Sequence, residues 1–331
     1  MSALPQSSIL NPQSARPRLA FCGLGWIGRH RMNAVVEAGL AEVAYVCDPF
    51  AADLTGANVA ESFDDLLASD ADAIVIATPS AMHAEQAIAA LERGKAVFCQ
   101  KPLGRNAEET RRVVEAARAN DRLLGVDLSY RHTVGLQAVK RLVEEKTLGE
   151  IFAVDLVFHN AYGPDKPWFY DAAQSGGGCV IDLGIHLADI GLWTLGFPPV
   201  KNVTARMAHH GGHSVEDFAT ALIDLDGGVT MQLACSWNLS AGQDAVIGAT
   251  FYGTQGAASF HNVNGSFYDF VAEHRVKTRT TRLTEPGDAW GGKAIVVWAE
   301  RLASSNRFDP EIAHVIEVAE TLDAMYRSAG K

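Results

Sequence analysis

Gly23-Leu24-Gly25-Trp26-Ile27-Gly28 follows the first apolar run of the chain and opens a helical stretch. In this order the first glycine permits a tight turn and the second lets backbone approach a pyrophosphate. The third lets the helix pack on the strand. The N–H groups at the start of such a helix suit phosphates. Asp48 ends the second apolar run, 20 residues past Gly28, where a carboxylate accepts from the adenosine ribose diol and repels a 2′-phosphate. Pro49, Phe50, Ala51 and Ala52 come next and offer no cation for such a phosphate, so NAD is favoured over NADP. Further along stand Lys101, Asp182 and His186. They are residue types that can take the O–H proton of a secondary alcohol while hydride leaves its carbon. Asp182 and His186 are four apart with a helix beginning between them, so both can face one cavity. Singly, each also has a structural use: a helix cap, a core histidine, a solvated loop lysine.

These groups need elements to position them. Leu19–Cys22, Val43–Cys47, Ala73–Ala77, Ala96–Cys99 and Leu123–Val126 read as strands. They are nearly all apolar, as strands covered on both faces of a parallel sheet are. Helical patterns at Ala81–Arg93 and Ala107–Asn120 lie between them, and Gly94 stands where a C-cap glycine belongs. The alternation predicts an α/β, doubly wound Rossmann sheet over residues 17–130. After a helix at Gly135–Glu145, longer strands mix apolar and polar residues: Ile151–His159, Phe218–Asp224, Val229–Ser236, Ala245–Tyr252 and Ala257–His261. They predict a large, mostly antiparallel open sheet in a second domain, 131–331, with helices at Ile185–Leu195 and Ile312–Tyr326. No linker separates the halves, so a ligand would sit between them.

A chain of 331 residues, 48% apolar and 20% charged, is expected to form two domains. Its net charge of −11 argues against a nucleic-acid groove. The five cysteines form no Cys-x-x-Cys pair and read as reduced thiols. No run approaches the ~18 apolar residues of a membrane span. Residues 1–16 lack the basic start and apolar core of a signal peptide and read as a loose tail, so a cytoplasmic protein is expected.

Three further segments carry a resemblance. They are Ala77-Thr78-Pro79-Ser80-Ala81-Met82-His83, then Gln100-Lys101-Pro102-Leu103, then the run from Gly176-Gly177-Gly178 through Asp182 and His186 to Asp189. In order and spacing, over residues 17–330, the chain resembles the family of glucose–fructose oxidoreductase, inositol dehydrogenase and the MocA protein. The resemblance implies hydride transfer between a hydroxyl carbon of a sugar, inositol or nucleotide-sugar and C4 of the nicotinamide. It implies His186 as general acid/base, an imidazole near its own pKa at neutral pH. Asp182 would orient the substrate or the imidazole, and Lys101 would stabilise the reacting oxygen. It also implies homo-oligomers, a homodimer or homotetramer, formed through the open sheet. Gln100 departs from the family's usual Glu, which removes a negative charge beside Lys101 and should hold that lysine's proton less strongly.

Other residues complete the expected site. Thr78, Pro79, His83 and Gln100 are candidates for cofactor contact, with local helix packing an equal reading for His83. Tyr130 and Arg131 end the last Rossmann strand and should face the crevice. Trp168, ahead of Phe169 and Tyr170, offers an aromatic face to a sugar ring or to the core. His209, His210, His213, Glu216 and Asp217 sit around a Gly-Gly pair and read as a solvated loop rather than a metal site. Two other functions share the framework: a glycosidase using bound NAD as a transient oxidant, and a non-catalytic dinucleotide sensor.

Overall fold

The computed structural model describes residues 16–49 and 56–330. The expected tail, except Arg16, lies outside the described residues, as do Phe50, Ala51 and Ala52. Strands β1 (Arg18–Cys22), β2 (Glu42–Cys47), β3 (Asn58–Val59), β4 (Ala73–Ile76), β5 (Ala96–Cys99) and β6 (Leu124–Val126) form one sheet in the order β3-β2-β1-β4-β5-β6. All five pairings are parallel. The winding direction reverses between β1 and β4, so the turns after both strands border one crevice. Helices α1 (Trp26–Ala38), α2 (Phe63–Ala68), α3 (Ser80–Glu92) and α4 (Ala107–Ala119) connect the strands. Every residue of β4 and β5 is buried, which is why those runs are continuously apolar.

The second sheet has eight strands: β7 (Ile151–Asn160), β8 (Val200–Ala208), β9 (Phe218–Leu225), β10 (Thr230–Ser236), β11 (Ala245–Gly253), β12 (Ala257–Asn262), β13 (Phe270–Val276) and β14 (Arg279–Arg282). Their order is β14-β13-β12-β11-β7-β10-β9-β8, and only β7 and β10 pair in parallel. Val154, Leu156 and Phe158 alternate inward along β7 and meet Phe251, Ala249 and Ile247 across the pairing with β11. Helices α5 (Val134–Glu144), α7 (Ile185–Leu195) and α9 (His314–Ser328) cover this inner face. Strands β3, β8, β13 and β14 escape a periodicity reading because they are short, largely exposed or, in β13, buried at consecutive positions.

Two helices show how the packing crosses the simple division of the chain. A boundary at residue 130 assigns α8 (Lys293–Ser304) to the second domain, yet Ile295, Trp298, Ala299 and Leu302 pack into the first domain's core with Leu19, Phe21 and Phe98. The chain returns to the Rossmann sheet because α8 carries an apolar stripe that the uncovered side of β5 and β6 needs. The helical stretch Ala172–Leu195, which takes in the short α6 (Ala172–Ser175), passes for a membrane span by length and composition only, since Gln174, Asp182, His186 and Asp189 interrupt its apolar residues. Its most apolar window is 78% buried inside the protein, so it serves as a core helix.

Trp298 is 5% exposed and packs on Phe98 with ring centroids 5.5 Å apart. Trp298→Ala is therefore expected to cost about 3–5 kcal/mol, read from the urea unfolding midpoint. A loss under about 1 kcal/mol, the size of an ordinary surface change, would remove α8 from that core.

Candidate functional site

One cavity of about 1090 Å³ runs between the two sheets and is lined from both domains. At one end the glycine loop leaves β1 at Gly23, whose φ of +88° suits glycine. A Cβ on Gly23 would lie 2.5 Å from the Ala77 carbonyl oxygen, and one on Gly28 would lie 2.2 Å from that of Gly23. These two glycines are demanded by the fold itself. Gly25 is different: among the described residues a Cβ there meets nothing within 4 Å except Lys166 Nζ, at 3.5 Å. The space above it is a cradle that an added side chain would occupy, and no side chain caps the start of α1. The loop thus fits a dinucleotide phosphate, with Trp26 and Ile27 continuing the cavity wall. Asp48 borders the same end, its Oδ2 accepting from Leu24 N–H at 2.6 Å.

Thr78 and Pro79 line the cavity after β4, and Thr78 Oγ1 donates to Gln86 at 2.7 Å. His83 also lines the cavity, and its ring braces the loops around it. It is 1% exposed, and its Nδ1 and Nε2 each lie 2.7 Å from a carbonyl oxygen, those of Pro102 and Thr78. Burial lowers its pKa while the two carbonyls favour its protonation. Both ring nitrogens are committed, tying the loop after β4 to the loop after β5.

At the other end, Lys101 Nζ donates to Asp182 Oδ1 and to the Asp182 carbonyl oxygen, both at 2.8 Å. Trp237 Nε1 donates to Asp182 Oδ2 at 3.1 Å. Both carboxylate oxygens of Asp182 are thus engaged, one by Lys101 and one by Trp237. A single π-type turn, Val180–Gly184, runs straight into α7 and brings Asp182 and His186 to the same wall. His186 is half-buried and meets Tyr130 edge-on at 5.0 Å. Its ring nitrogens make no protein hydrogen bond among the described residues, so they remain for a ligand. Burial, reinforced by the positive charges of Lys101 and Arg31, holds its pKa well below the usual 6.5. The imidazole expected to titrate near neutrality is neutral there instead.

The missing charge at Gln100 is made up elsewhere. Gln100 Nε2 donates to Asp127, which is 2% exposed. Asp127 also accepts from Arg31 Nε at 2.5 Å and from Ser129 Oγ. Lys101 has its own counter-charge in Asp182. Asp127, Arg31 and Ser129 line the cavity and were not legible in the sequence, since their pairing joins residues 96 apart. The acidic end of the β6 run was the one available signal.

Tyr130 stacks on Trp290 at 5.0 Å and lines the cavity. Arg131 does not: its guanidinium turns to the buried carboxylate of Asp189, with Nε 3.0 Å from Oδ2, and packs over Trp193 and Phe197. Its expected substrate contact is corrected to a structural ion pair, because a carboxylate 1% exposed requires a partner. Trp168 and Phe169, stacked at 3.8 Å, line the cavity, whereas Tyr170 turns to His213 and Trp237. In the His209–His213 loop, His210 N–H donates to Asp217 at 2.9 Å. Glu216 is buried, accepting from Gly178 N–H at 2.9 Å, Val180 N–H at 3.1 Å and Tyr326 Oη at 2.7 Å. Among the described residues no three such side chains gather to hold a metal.

The glycine geometry makes a sharp expectation. Gly23→Ala and Gly28→Ala should lower the melting temperature, because each new Cβ meets backbone. Gly25→Ala should leave it unchanged and weaken dinucleotide binding about tenfold or more, a loss of ~1.4 kcal/mol. Equal effects of all three on melting would remove the distinction.

Residues 17–128 match the family described as "Oxidoreductase family, NAD-binding Rossmann fold", and residues 136–259 match the GFO/IDH/MocA C-terminal domain. Over 95% of the chain it is 30% identical to a protein of Amycolatopsis mediterranei, named as an oxidoreductase subunit of a UDP-kanosamine synthase, and covers 96% of that protein. It is 29% identical to the D-glucoside 3-dehydrogenase of Escherichia coli over 59% of this chain, a match spanning only 60% of that enzyme's length. The crystal structure of GenD2 from gentamicin A biosynthesis, in complex with NAD, superposes with a TM-score of 0.82 at 25% identity, covering 100% of this chain and 98% of that one. With both domains matched in order on one glycine loop and one interdomain cavity, the chain belongs to the GFO/IDH/MocA family of oxidoreductases.

Proposed function

We propose that the protein is an NAD-dependent dehydrogenase that oxidises a secondary hydroxyl of a sugar, an inositol or a nucleotide-sugar. One observation carries the reading. A lysine held by Asp182 and a neutral, unbonded imidazole meet at one end of a cavity whose other end is the glycine loop. Bound nicotinamide supplies the hydride acceptor. An ammonium has three N–H donors, and two of those on Lys101 go to Asp182, which leaves one for the reacting oxygen. As the hydroxyl loses its proton, negative charge grows on that oxygen and Lys101 stabilises it. The proton passes to His186, a base because its surroundings keep it neutral. Trp168 and Phe169 offer an aromatic face to the apolar face of a ring. The glucoside and nucleotide-sugar names of relatives support that substrate class.

Asp48 supports NAD over NADP, because the Leu24 N–H fixes its carboxylate at the end of β2. We also assign the outer face of the eight-stranded sheet to a second copy of the chain. Val157, Ala234 and Val246 lie there with Leu222, which is 48% exposed, and α5, α7 and α9 cover only the opposite face. Light scattering that returns the 35.5 kDa of one chain would overturn the assignment.

Three measurements test the catalytic reading. His186→Ala should cut turnover of the true substrate about 10²–10⁴-fold, the usual share of acid/base catalysis, with NAD affinity unchanged. Lys101→Met should also lower turnover and spare affinity, because the cofactor's phosphates lie at the far end. Because the folded-state pKa of His186 is depressed, oxidation should stay high as pH falls to the ordinary imidazole range and drop only below it. That limb should vanish in His186→Ala, and a limb at neutral pH would contradict the neutral base. Asp48→Ala should narrow the preference for NAD(H) over NADP(H) in fluorescence titrations. Glycoside cleavage without net NADH would turn the reading to a glycosidase, and binding without turnover of any polyol or nucleotide-sugar would turn it to a sensor.

A further inference from the structure

The glycine loop is met from across the cavity by a charge that belongs to the other domain. Lys166 lies between β7 and Trp168, and its Nζ is the one atom among the described residues within 4 Å of the position a Cβ on Gly25 would take, 3.5 Å away. Gly25 has a φ of −58°, open to any residue, and no backbone crowds it. The protein's own packing therefore gives no reason for a glycine here. A ligand that comes down onto the loop does.

The charges point the same way. The N-terminus of α1 is the positive end of a 13-residue helix dipole, with no acidic residue in its first turn. An ammonium parked above it faces like charge, an arrangement that costs free energy until an anion lies between them. The Lys166 side chain makes no hydrogen bond or ion pair among the described residues that would explain its place. Its backbone is held firmly. Gly163 N–H donates to Asn238 Oδ1 at 2.8 Å, Tyr170 Oη donates to the Pro164 carbonyl at 2.9 Å, and Phe169 N–H donates to the Lys166 carbonyl at 3.2 Å. Pro167 restricts the next φ.

We infer that Lys166 is a cofactor-positioning cation of the second domain, closing onto the pyrophosphate that the glycine loop holds. The dinucleotide is then gripped from both domains. The same loop continues into Trp168 and Phe169 at the substrate end, so an occupied cofactor site holds the aromatic wall in place. The inference rests on the dinucleotide reading of the glycine loop.

The test is binding rather than turnover. Titrations of NADH, ADP-ribose and adenosine, each over a range of salt, are compared for the native protein, Lys166→Met and Lys166→Arg. Lys166→Met should weaken NADH and ADP-ribose about tenfold and flatten their salt dependence, since one screened charge contact is lost. Adenosine, which lacks the pyrophosphate, should bind unchanged, and Lys166→Arg should recover most of the affinity. Unchanged ADP-ribose affinity and salt slope in Lys166→Met would overturn the role of Lys166 while leaving the loop's reading intact. So would an equal loss for adenosine, which would mark a distorted loop. A native protein that binds neither NADH nor ADP-ribose would overturn both.

Discussion

Lys101 and Asp182 come from different domains, and the ion pair between them ties together the two walls of the cavity that both line. Lys101 stands on the loop after β5, and Asp182 on the turn that opens α7. Their side chains are 20% and 17% exposed, so each has given up much of its water. Removing one partner from such a pair leaves a poorly solvated charge, which is why the two loops stay in register. Trp237 Nε1 takes the second carboxylate oxygen, so both oxygens are engaged. The pair is thus a joint between domains as well as a way of aiming one ammonium proton into the cavity.

That joint depends in turn on how the second domain presents Asp182. The backbone enters the π-type turn through Gly178, where an added Cβ would fall 1.9 Å from the Glu216 carbonyl oxygen. The buried Glu216 carboxylate collects two N–H groups of this segment and the Tyr326 hydroxyl of α9. The glycine run allows a close approach, and the carboxylate satisfies donors that the approach would leave without water. A loop that reads as solvated in the sequence thus supplies an anchor for the reacting residues.

Electrostatics then separates two neighbouring groups by role. Tyr130 and Phe158 shield His186 from water, and Lys101 and Arg31 add positive charge, all of which favour the neutral ring. Arg31 would be a costly buried charge without Asp127, and Asp127 would be one without Arg31. Gln100 and Ser129 complete that network, so the neutral amide at position 100 sits beside a carboxylate supplied by another strand. Across the cavity, Tyr130 rests on Trp290, just ahead of α8, which couples the apolar wall of the site to the first domain's core.

The sequence alone determined what depends on neighbours along the chain. The glycine loop, the carboxylate at the end of β2, the buried strands of the first sheet and the spacing of Asp182 to His186 are all local patterns. A period of two or 3.6, or a turn needing positive φ, leaves its mark within a few residues. Tertiary structure decided what depends on partners far away. Trp237 reaches Asp182 across 55 residues, Arg31 reaches Asp127 across 96 and Tyr326 reaches Glu216 across 110. No local pattern records such pairs, so Arg131 could be placed at the crevice although it serves the scaffold. The helix α8 has an ordinary amphipathic stripe, and which sheet it covers is set by the surface left open after the rest has packed. The protonation state of His186 belongs to the same class. An imidazole titrates in its ordinary range in any unfolded chain, and it leaves that range only through the burial and the charges that folding brings to it.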